Sequence, residues 1–115
     1  DQVGSPTWAN TLARTTWSLL AENAAGIYHC SDNGVASWYD FAAAIQEEAI
    51  ALELLTKTIP VHPIPGSAYP TPAQRPAYSV MDKSATEQVL GETLPHWRVS
   101  LRSMLKQLKQ RTNNA

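Results

Sequence analysis

Apolar side chains recur at helical spacing in several stretches of the chain, and each such stretch predicts a helix. The first predicted helix covers residues 8–22, where Ser5 or Thr7 can cap the first turn. It ends at a stop signal in which Gly26 or Asn23 can take the left-handed backbone conformation. Its apolar positions are Trp8, Leu12, Trp17, Leu19 and Leu20.

A second predicted helix begins with a capping box, in which Ser37 is followed three residues later by Asp40. Behind this box an apolar face alternates with a polar, water-facing side. The adjacent carboxylates Glu47 and Glu48 point in different directions from a helix, so they form no acid–base pair. The apolar face consists of Trp38, Phe41, Ala42, Ile45 and Ala49, and the polar side of Gln46, Glu47 and Glu48.

The C-terminal part of the chain predicts a short helix and a long one. Asp82 or Ser84 can cap the short helix, which ends at Gly91. Residues 93–95 start the long helix, and the basic residues near its end suit the negative end of the helix dipole. The apolar positions of the long helix are Trp97, Leu101, Met104, Leu105 and Leu108.

Two short apolar runs, residues 26–31 and 61–64, flank the second helix and predict strands. A strand–helix–strand order favours parallel pairing. His29 and His62 fall in these runs, where we expect packed or hydrogen-bonded side chains rather than catalytic ones. Cys30 lies in the first run, and a strand position predicts its burial.

Residues 69–82, the proline segment, contain three of the eight prolines and one central arginine, Arg75. Proline fixes φ and restrains the residue before it, so neither a helix nor an inner strand is expected here. Two interpretations remain open. A stiff loop can present Arg75 to an anion such as phosphate, or the segment can be a rigid surface connector whose arginine is solvated.

Composition narrows the class of protein. A chain of 115 residues with 43% hydrophobic and 17% charged content predicts one globular domain. The net charge of −1 gives no reason to expect nucleic acid or an anionic membrane as a partner, and no apolar run has the length of a membrane span. A single cysteine favours a reducing compartment, which predicts a cytoplasmic protein. The chain opens on Asp1 without methionine and holds four tryptophans, so we interpret it as part of a longer polypeptide whose remainder covers apolar surface.

Residues with recognisable chemistry are sparse. No Gly-x-Gly-x-x-Gly pattern or phosphate loop is present, and no tyrosine is followed four residues later by lysine. The three histidines are far apart in sequence, and one cysteine gives a zinc site little to build on. The sequence therefore predicts no catalytic, cofactor-binding or metal-ligating residue in this chain.

Five separated segments together resemble the C-terminal part of dTDP-4-dehydrorhamnose reductase, a family of extended short-chain dehydrogenase/reductases. The resemblance covers nearly the whole chain, and the proline segment is its most specific part. The segments are DQVGSPT (1–7), GIYH (26–29), SWYDFA (37–42), YPTPAQRP (69–76) and LPHWR (94–98).

The resemblance implies that residues 1–115 form a C-terminal substrate-binding domain whose N-terminal Rossmann domain is absent. The expected fold is a small α/β lobe with about four helices and a short, mainly parallel sheet of two to three strands. The implied parent enzyme reduces the 4-keto group of dTDP-4-dehydro-L-rhamnose with NADPH or NADH, giving dTDP-L-rhamnose for polysaccharide biosynthesis. Its catalytic and cofactor residues lie in the missing domain, so this part alone binds no cofactor.

The resemblance also implies site residues. Arg75 matches the loop arginine of the family and is the expected contact to the nucleotide-sugar, although Gln74 stands where many members have another arginine. Gln2, Gly4 and Thr7 match the segment next to the sugar-nucleotide cleft, where a turn that only orients the lobe is the alternative role.

Some family members hold Mg²⁺ at a dimer interface through glutamates of this lobe. The matching positions here are Asn10 and Gln107, and neutral amides are poor substitutes for carboxylates with a hard cation. We therefore expect neither Mg²⁺ nor a metal-bridged dimer.

Partners and alternatives follow from the same resemblance. The expected partners are the dTDP-sugar and the missing Rossmann domain, and self-association through the exposed interface of the lobe is expected in its absence. One alternative is a non-catalytic regulatory or nucleotide-sugar-binding relative with the same fold. Another is a stand-alone α/β binding module.

Overall fold

Four helices and one two-stranded sheet make up the regular structure of residues 1–114, the part of the chain that the computed structural model describes. The elements are β1 (Val3–Gly4), α1 (Ala9–Ala21), β2 (Ala36–Ser37), α2 (Trp38–Ala51), a 3-10 turn (Gly66–Ala68), α3 (Ser84–Leu90) and α4 (Trp97–Asn113). The prediction of a small α/β lobe with four helices is confirmed. Within residues 1–114, every helix is too short or too polar to cross a bilayer.

The sheet differs from the prediction in direction and position. β1 and β2 pair antiparallel, with Val3 opposite Ser37 and Gly4 opposite Ala36, so the prediction of a mainly parallel sheet was wrong. Among residues 1–114, parallel pairing occurs only as isolated bridges, one of which joins Val3 to Tyr78.

The runs 26–31 and 61–64 are not strands. A strand needs a neighbour that accepts its backbone hydrogen bonds, and no strand within residues 1–114 lies beside either run. Without such a neighbour His29 and His62 are exposed, contrary to the expectation that they would be packed, and Cys30 is only half-buried. Apolar character alone therefore does not bury these runs in this part of the chain.

The core lies between α2 and α4. The predicted capping box forms at the start of α2, where the Asp40 backbone N–H donates to Ser37 Oγ (3.1 Å) and the Ser37 N–H donates to Asp40 Oδ2 (2.9 Å). The Ser37 hydroxyl also donates to Asp40 Oδ2 (2.9 Å), and the two hydrogen bonds that the Asp40 carboxylate accepts, first from the Ser37 backbone and then from its side chain, lower the pKa of Asp40. The buried core residues are Ala36, Ala44, Ala49, Trp97, Leu101 and Leu105, with Phe41, Ile45, Leu52, Leu54 and Met104 packed against them.

α1 was predicted in the right place, but its apolar residues point outward. Leu12, Trp17 and Leu20 are 49%, 74% and 62% exposed, whereas Thr11 and Thr15 are buried. α1 packs against α3, so its threonine face is the inner one. The apolar spacing correctly indicated a helix, but not which side of that helix faces the rest of the lobe.

The ends of α1 are fixed partly by distant residues. Neither Ser5 nor Thr7 caps the helix, because the N-cap is Trp8, whose backbone N–H donates to Asp32 Oδ2 at 2.9 Å. The predicted stop is confirmed, since Asn23 and Gly26 both have positive φ.

The predicted stop of α3 is confirmed, since Gly91 ends that helix in the left-handed conformation. Its start differs, because the N-cap is Lys83 and not Asp82 or Ser84, although Asp82 Oδ1 accepts from the Ser84 N–H (2.9 Å). α4 begins at Trp97, slightly later than expected, because His96 Nδ1 accepts from the Arg98 N–H and acts as the N-cap. The proline segment contains no helix or paired strand, which confirms that prediction.

Glu48 is buried, although it was predicted to face water, and Trp38 is exposed, although it was placed on the apolar face. Two arginines of α4 explain the burial of Glu48. Arg102 Nε donates to Oε2 (3.0 Å) and its Nη2 to Oε1 (2.9 Å), while Arg98 Nε donates to Oε1 (2.9 Å). Hydrogen bonds from Arg102 and then Arg98 lower the pKa of Glu48 from 4.5 to about 2. A charged group thus joins α2 to α4 at the edge of the core.

Candidate functional site

A cavity of about 990 Å³ opens between the β1–β2 ribbon, the start of α2 and the proline segment. Its walls come from four stretches of the chain: 1–6, 36–41, 63–66 and 69–79. The volume reaches the upper end of the range of roughly 300–1,000 Å³ that is typical of small-molecule sites. We call this space the main cavity.

Backbone hydrogen bonds hold the proline segment against β1. The Val3 N–H donates to the Ala77 carbonyl (2.8 Å), and the Ser79 N–H donates to the Val3 carbonyl (2.9 Å). A third hydrogen bond joins the loop before the proline segment to the start of the chain, where the Gly66 N–H donates to Asp1 Oδ1 at 2.6 Å. A segment without helix or sheet is therefore fixed in position and forms one wall of the main cavity.

Gly4 leaves room for the Ser79 side chain beside β1. A Cβ atom at position 4 would lie 2.6 Å from Ser79 Oγ, closer than real side chains pack. Since Gly4 also pairs with Ala36, its backbone is in contact with β2 on one side and the proline segment on the other.

Three of the four predicted site residues meet in the main cavity. Arg75, Gln2 and Gly4 line it, but Thr7 does not. The Thr7 hydroxyl instead donates to the Ser5 carbonyl (2.9 Å) and accepts from the Asp32 N–H (3.2 Å), so Thr7 shapes the turn before α1.

The arginine of the proline segment is open to solvent. Arg75 is exposed and forms no ion pair with any carboxylate in residues 1–114. Its guanidinium donors are consequently open to an anion that enters the main cavity. Its contact with a substrate stays a prediction.

Aromatic residues on the cavity wall were missed by sequence reasoning. Trp38 and Tyr69 line the main cavity and are 71% and 74% exposed. The Trp38 ring lies 6.4 Å from the Phe41 ring, which in turn makes an edge-to-face contact with Trp97 at 6.1 Å. This chain of rings anchors an exposed tryptophan to the core. The high tryptophan content was the signal that pointed to such a surface.

The chemistry of the main cavity suits binding rather than bond making. Its walls are mostly apolar, and the charged side chains among its lining residues are Asp1 and Arg75. In the described part of the chain, no histidine, cysteine or pair of carboxylates lines it. A ligand with an anionic group and an apolar or ring-shaped part matches these walls.

Residues 1–114 contain no cluster of three or more His, Cys, Asp or Glu side chains that could hold a metal ion. Asn10 on α1 and Gln107 on α4, the positions considered for Mg²⁺, are both exposed.

Comparison with known proteins assigns the family. The family model described as the RmlD substrate binding domain matches residues 1–110. The dTDP-4-dehydrorhamnose reductase of Escherichia coli (strain K12) is 36% identical over 113 residues, which are 94% of this chain and 38% of that protein.

Two solved structures have the same fold. One is a dTDP-4-dehydrorhamnose reductase from Clostridium acetobutylicum, with a TM-score of 0.82 and 34% identity over 95% of this chain and 37% of the other. The other is the Bacillus anthracis enzyme in complex with NADP, with a TM-score of 0.75 and 29% identity over 89% of this chain and 34% of the other. The chain thus spans little more than a third of the relatives that it matches.

Proposed function

This chain belongs to the RmlD substrate binding domain family, and on that premise we propose that it is the substrate-binding part of an NAD(P)H-dependent dTDP-4-dehydrorhamnose reductase. In this proposal residues 1–115 form the C-terminal domain of an extended short-chain dehydrogenase/reductase. The substrate is dTDP-4-dehydro-L-rhamnose, and the product is dTDP-L-rhamnose.

The observation that carries the proposal is the composition of the main cavity. A nucleotide-sugar has a pyrophosphate, which needs donors, and two or three rings, which need apolar surface. Arg75 supplies a planar set of donors, and Trp38 and Tyr69 supply exposed ring faces. Gln2 and Gly4 belong to the same wall, where Gln2 adds an amide for sugar hydroxyls. The role proposed for this chain is to bind and orient the sugar and to exclude water from it.

The surface of the lobe supports the proposal that it is part of a larger protein. Its accessible area is 8315 Å², about a third more than the roughly 6,200 Å² expected of a compact monomer of this mass. The excess is larger than the roughly 800 Å² that one partner buries in a standard interface. The exposed apolar side chains of α1 contribute to this excess area. If no other domain covered them, they would favour self-association of the lobe.

The residues of this chain do not suit a binding site for NADPH or NADH. Residues 1–115 hold no glycine-rich phosphate loop, and the main cavity offers a single arginine for phosphate. We therefore place NADPH or NADH, together with the groups that transfer protons, in the N-terminal Rossmann part of the parent. A cytoplasmic location belongs to the same proposal, since Cys30 is free.

The test is steady-state kinetics of the full-length reductase with Arg75→Ala. Loss of a charge-assisted contact to pyrophosphate is worth about 1.5–3 kcal/mol, so the KM for the dTDP-sugar should rise roughly 10- to 100-fold. The KM for NAD(P)H should change little, because Arg75 lies in the sugar cavity. Arg14→Ala removes an exposed arginine of α1 and serves as the matched control with an unchanged sugar KM.

An unchanged sugar KM in Arg75→Ala would remove Arg75 from the site. A parent protein that binds the dTDP-sugar but does not oxidise NAD(P)H would show that the non-catalytic relative is the correct alternative.

A further inference from the structure

The loop before the proline segment is attached to the rest of the lobe at few points. We call residues 56–68 the cavity loop, because part of it lines the main cavity. It contains three prolines, which have no N–H to donate. In the described part of the chain, two hydrogen bonds join the cavity loop to residues that are not its sequence neighbours. The Ile59 N–H donates to Gln46 Oε1 (2.7 Å), and the Gly66 N–H donates to Asp1 Oδ1 (2.6 Å). Of the two acceptors, only Asp1 lies on the main cavity.

Asp1 and Gly66 are closely packed as well as hydrogen-bonded. Their N–H···O distance of 2.6 Å is short for an amide donor, as expected when the acceptor is charged. A Cβ atom at position 66 would lie 3.0 Å from Asp1 Oδ1 and 3.3 Å from Gln2 Nε2. Glycine at this position therefore lets the cavity loop lie directly against the side chains of Asp1 and Gln2, and a larger residue would have to displace them.

The same contact extends to an aromatic residue of the cavity wall. The 3-10 turn Gly66–Ala68 begins at the residue that Asp1 holds, and the Gly66 carbonyl accepts from the Tyr69 N–H at 3.1 Å. One short turn thus connects the Asp1 carboxylate to Tyr69, whose side chain is 74% exposed on the wall of the main cavity. A shift of Gly66 would move Tyr69 and would also remove the surface against which Gln2 packs.

We propose that Asp1 is a positioning residue of the main cavity, which holds the cavity loop through Gly66 and thereby sets the places of Gln2 and Tyr69 for the nucleotide-sugar. The inference rests on the proposed function, because that function names the nucleotide-sugar as the ligand. Charge favours positioning over contact with the pyrophosphate, since a carboxylate repels phosphate. The charged side chain on the wall that attracts phosphate is Arg75.

The kinetic test compares Asp1→Ala and Asp1→Asn in the full-length reductase. Asp1→Ala removes the acceptor of the Gly66 N–H, so the KM for the dTDP-sugar should rise roughly 3- to 10-fold, the effect of about one hydrogen bond. The kcat and the KM for NAD(P)H should change less than about twofold, because the loss concerns sugar binding. Asp1→Asn keeps an oxygen that accepts the hydrogen bond, so its sugar KM should stay within about twofold of the natural value. Glu92→Ala removes an exposed carboxylate outside the main cavity and is the matched control.

Three kinetic results would overturn the proposal. The first is an unchanged sugar KM in Asp1→Ala. The second is an equal rise in Asp1→Ala and Asp1→Asn, which would show that the charge of Asp1 acts on the ligand directly. The third is a lower kcat with an unchanged sugar KM, which would show that the substitution only reduces the amount of folded enzyme.

Gly66→Ala tests the contact from the side of the cavity loop. Its added Cβ would press against Asp1 Oδ1, so the sugar KM should rise as it does in Asp1→Ala. In the double variant the second substitution should add little to the first, because both disrupt the same contact. Effects that multiply in the double variant would show that the two residues act independently, and would contradict the proposal.

Hydrogen exchange of the full-length protein without ligand separates this inference from the proposed function. The Gly66 and Tyr69 amides should exchange faster in Asp1→Ala than in the natural protein, whereas the amides of α4 should keep their rates. Unchanged exchange at both amides would overturn the positioning role even in an active reductase. A natural protein that does not bind the dTDP-sugar would instead refute the proposed function, and the exchange rates would still decide whether Asp1 holds the cavity loop.

Discussion

The Glu48 contacts between α2 and α4 predict a specific dependence of stability on pH. Glu48 is 8% exposed, and hydrogen bonds from Arg102 and Arg98 lower its pKa from 4.5 to about 2. A carboxylate whose pKa is lower in the folded state stabilises the fold above its unfolded pKa and loses that contribution as pH falls toward the folded value. At 1.36 kcal/mol per pKa unit the contribution is at most about 3.4 kcal/mol, present above pH 4.5 and lost toward pH 2. Because the Arg98 and Arg102 side chains are 31% and 48% exposed, solvent screening reduces the expected value to about 1.5–3 kcal/mol.

The perturbation is Glu48→Gln, and the assay is urea unfolding of the chain and the variant between pH 7 and pH 2. The variant should be less stable by about 1.5–3 kcal/mol at pH 7, and the difference should shrink below pH 4.5 and nearly vanish at pH 2. Glu47→Gln is the matched control. The Glu47 side chain is 68% exposed and, among residues 1–114, pairs with Arg98 alone. This substitution should change the free energy of unfolding by less than about 1 kcal/mol. A Glu48→Gln difference that is the same at pH 7 and pH 2 would refute the electrostatic explanation.

Three further variants test the fold. Ser37→Ala removes the capping box and should lower the free energy of unfolding by about 1 kcal/mol in urea titrations, with Ser37→Asn close to the natural protein. Gly34→Ala places a Cβ against the His96 ring at a backbone φ of +88°. Calorimetry should therefore show a Tm lowered by several degrees, which corresponds to a loss of at least about 1 kcal/mol in the free energy of unfolding. An unchanged Tm would contradict the tight packing around Gly34. Leu101→Ala should lower the free energy of unfolding by about 2–5 kcal/mol. Leu12→Ala, at a position that is 49% exposed, should lower it by less than about 1 kcal/mol. Similar losses in the two variants would show that α1 buries its leucines.

Local signals in the sequence predicted helix ends well. The Ser37–Asp40 box and the Gly91 stop act over three or four residues, so the structure reproduces both. The cap of α1 was not predictable in this way, because its acceptor is Asp32, 24 residues away from Trp8. A contact between distant residues depends on tertiary packing, and no short sequence pattern marks it.

Burial was harder to predict than secondary structure. Glu48 looked like a water-facing residue until Arg102 of another helix was placed beside it. Trp17 on α1 is exposed because the buried face of α1 carries Thr11 and Thr15, which apolar periodicity does not show. In the main cavity, the position of Arg75 was predicted by the resemblance, whereas the wall that Trp38 forms depends on how α2 meets the proline segment.

The ties between the proline segment and β1 also set how the main cavity exchanges with solvent. Within residues 1–114, two backbone hydrogen bonds and one from the Ser79 hydroxyl, all at Val3, join the proline segment to β1. Breaking them would release that wall without disturbing the contact of α2 with α4. Such an opening costs far less than global unfolding, and the Ser79 amide should therefore exchange its hydrogen for deuterium much faster than core amides of α4. A ligand that spans Arg75 and Gln2 would hold this wall shut. Slower exchange at Ser79 would then report occupancy of the main cavity directly, even in a protein that performs no reaction.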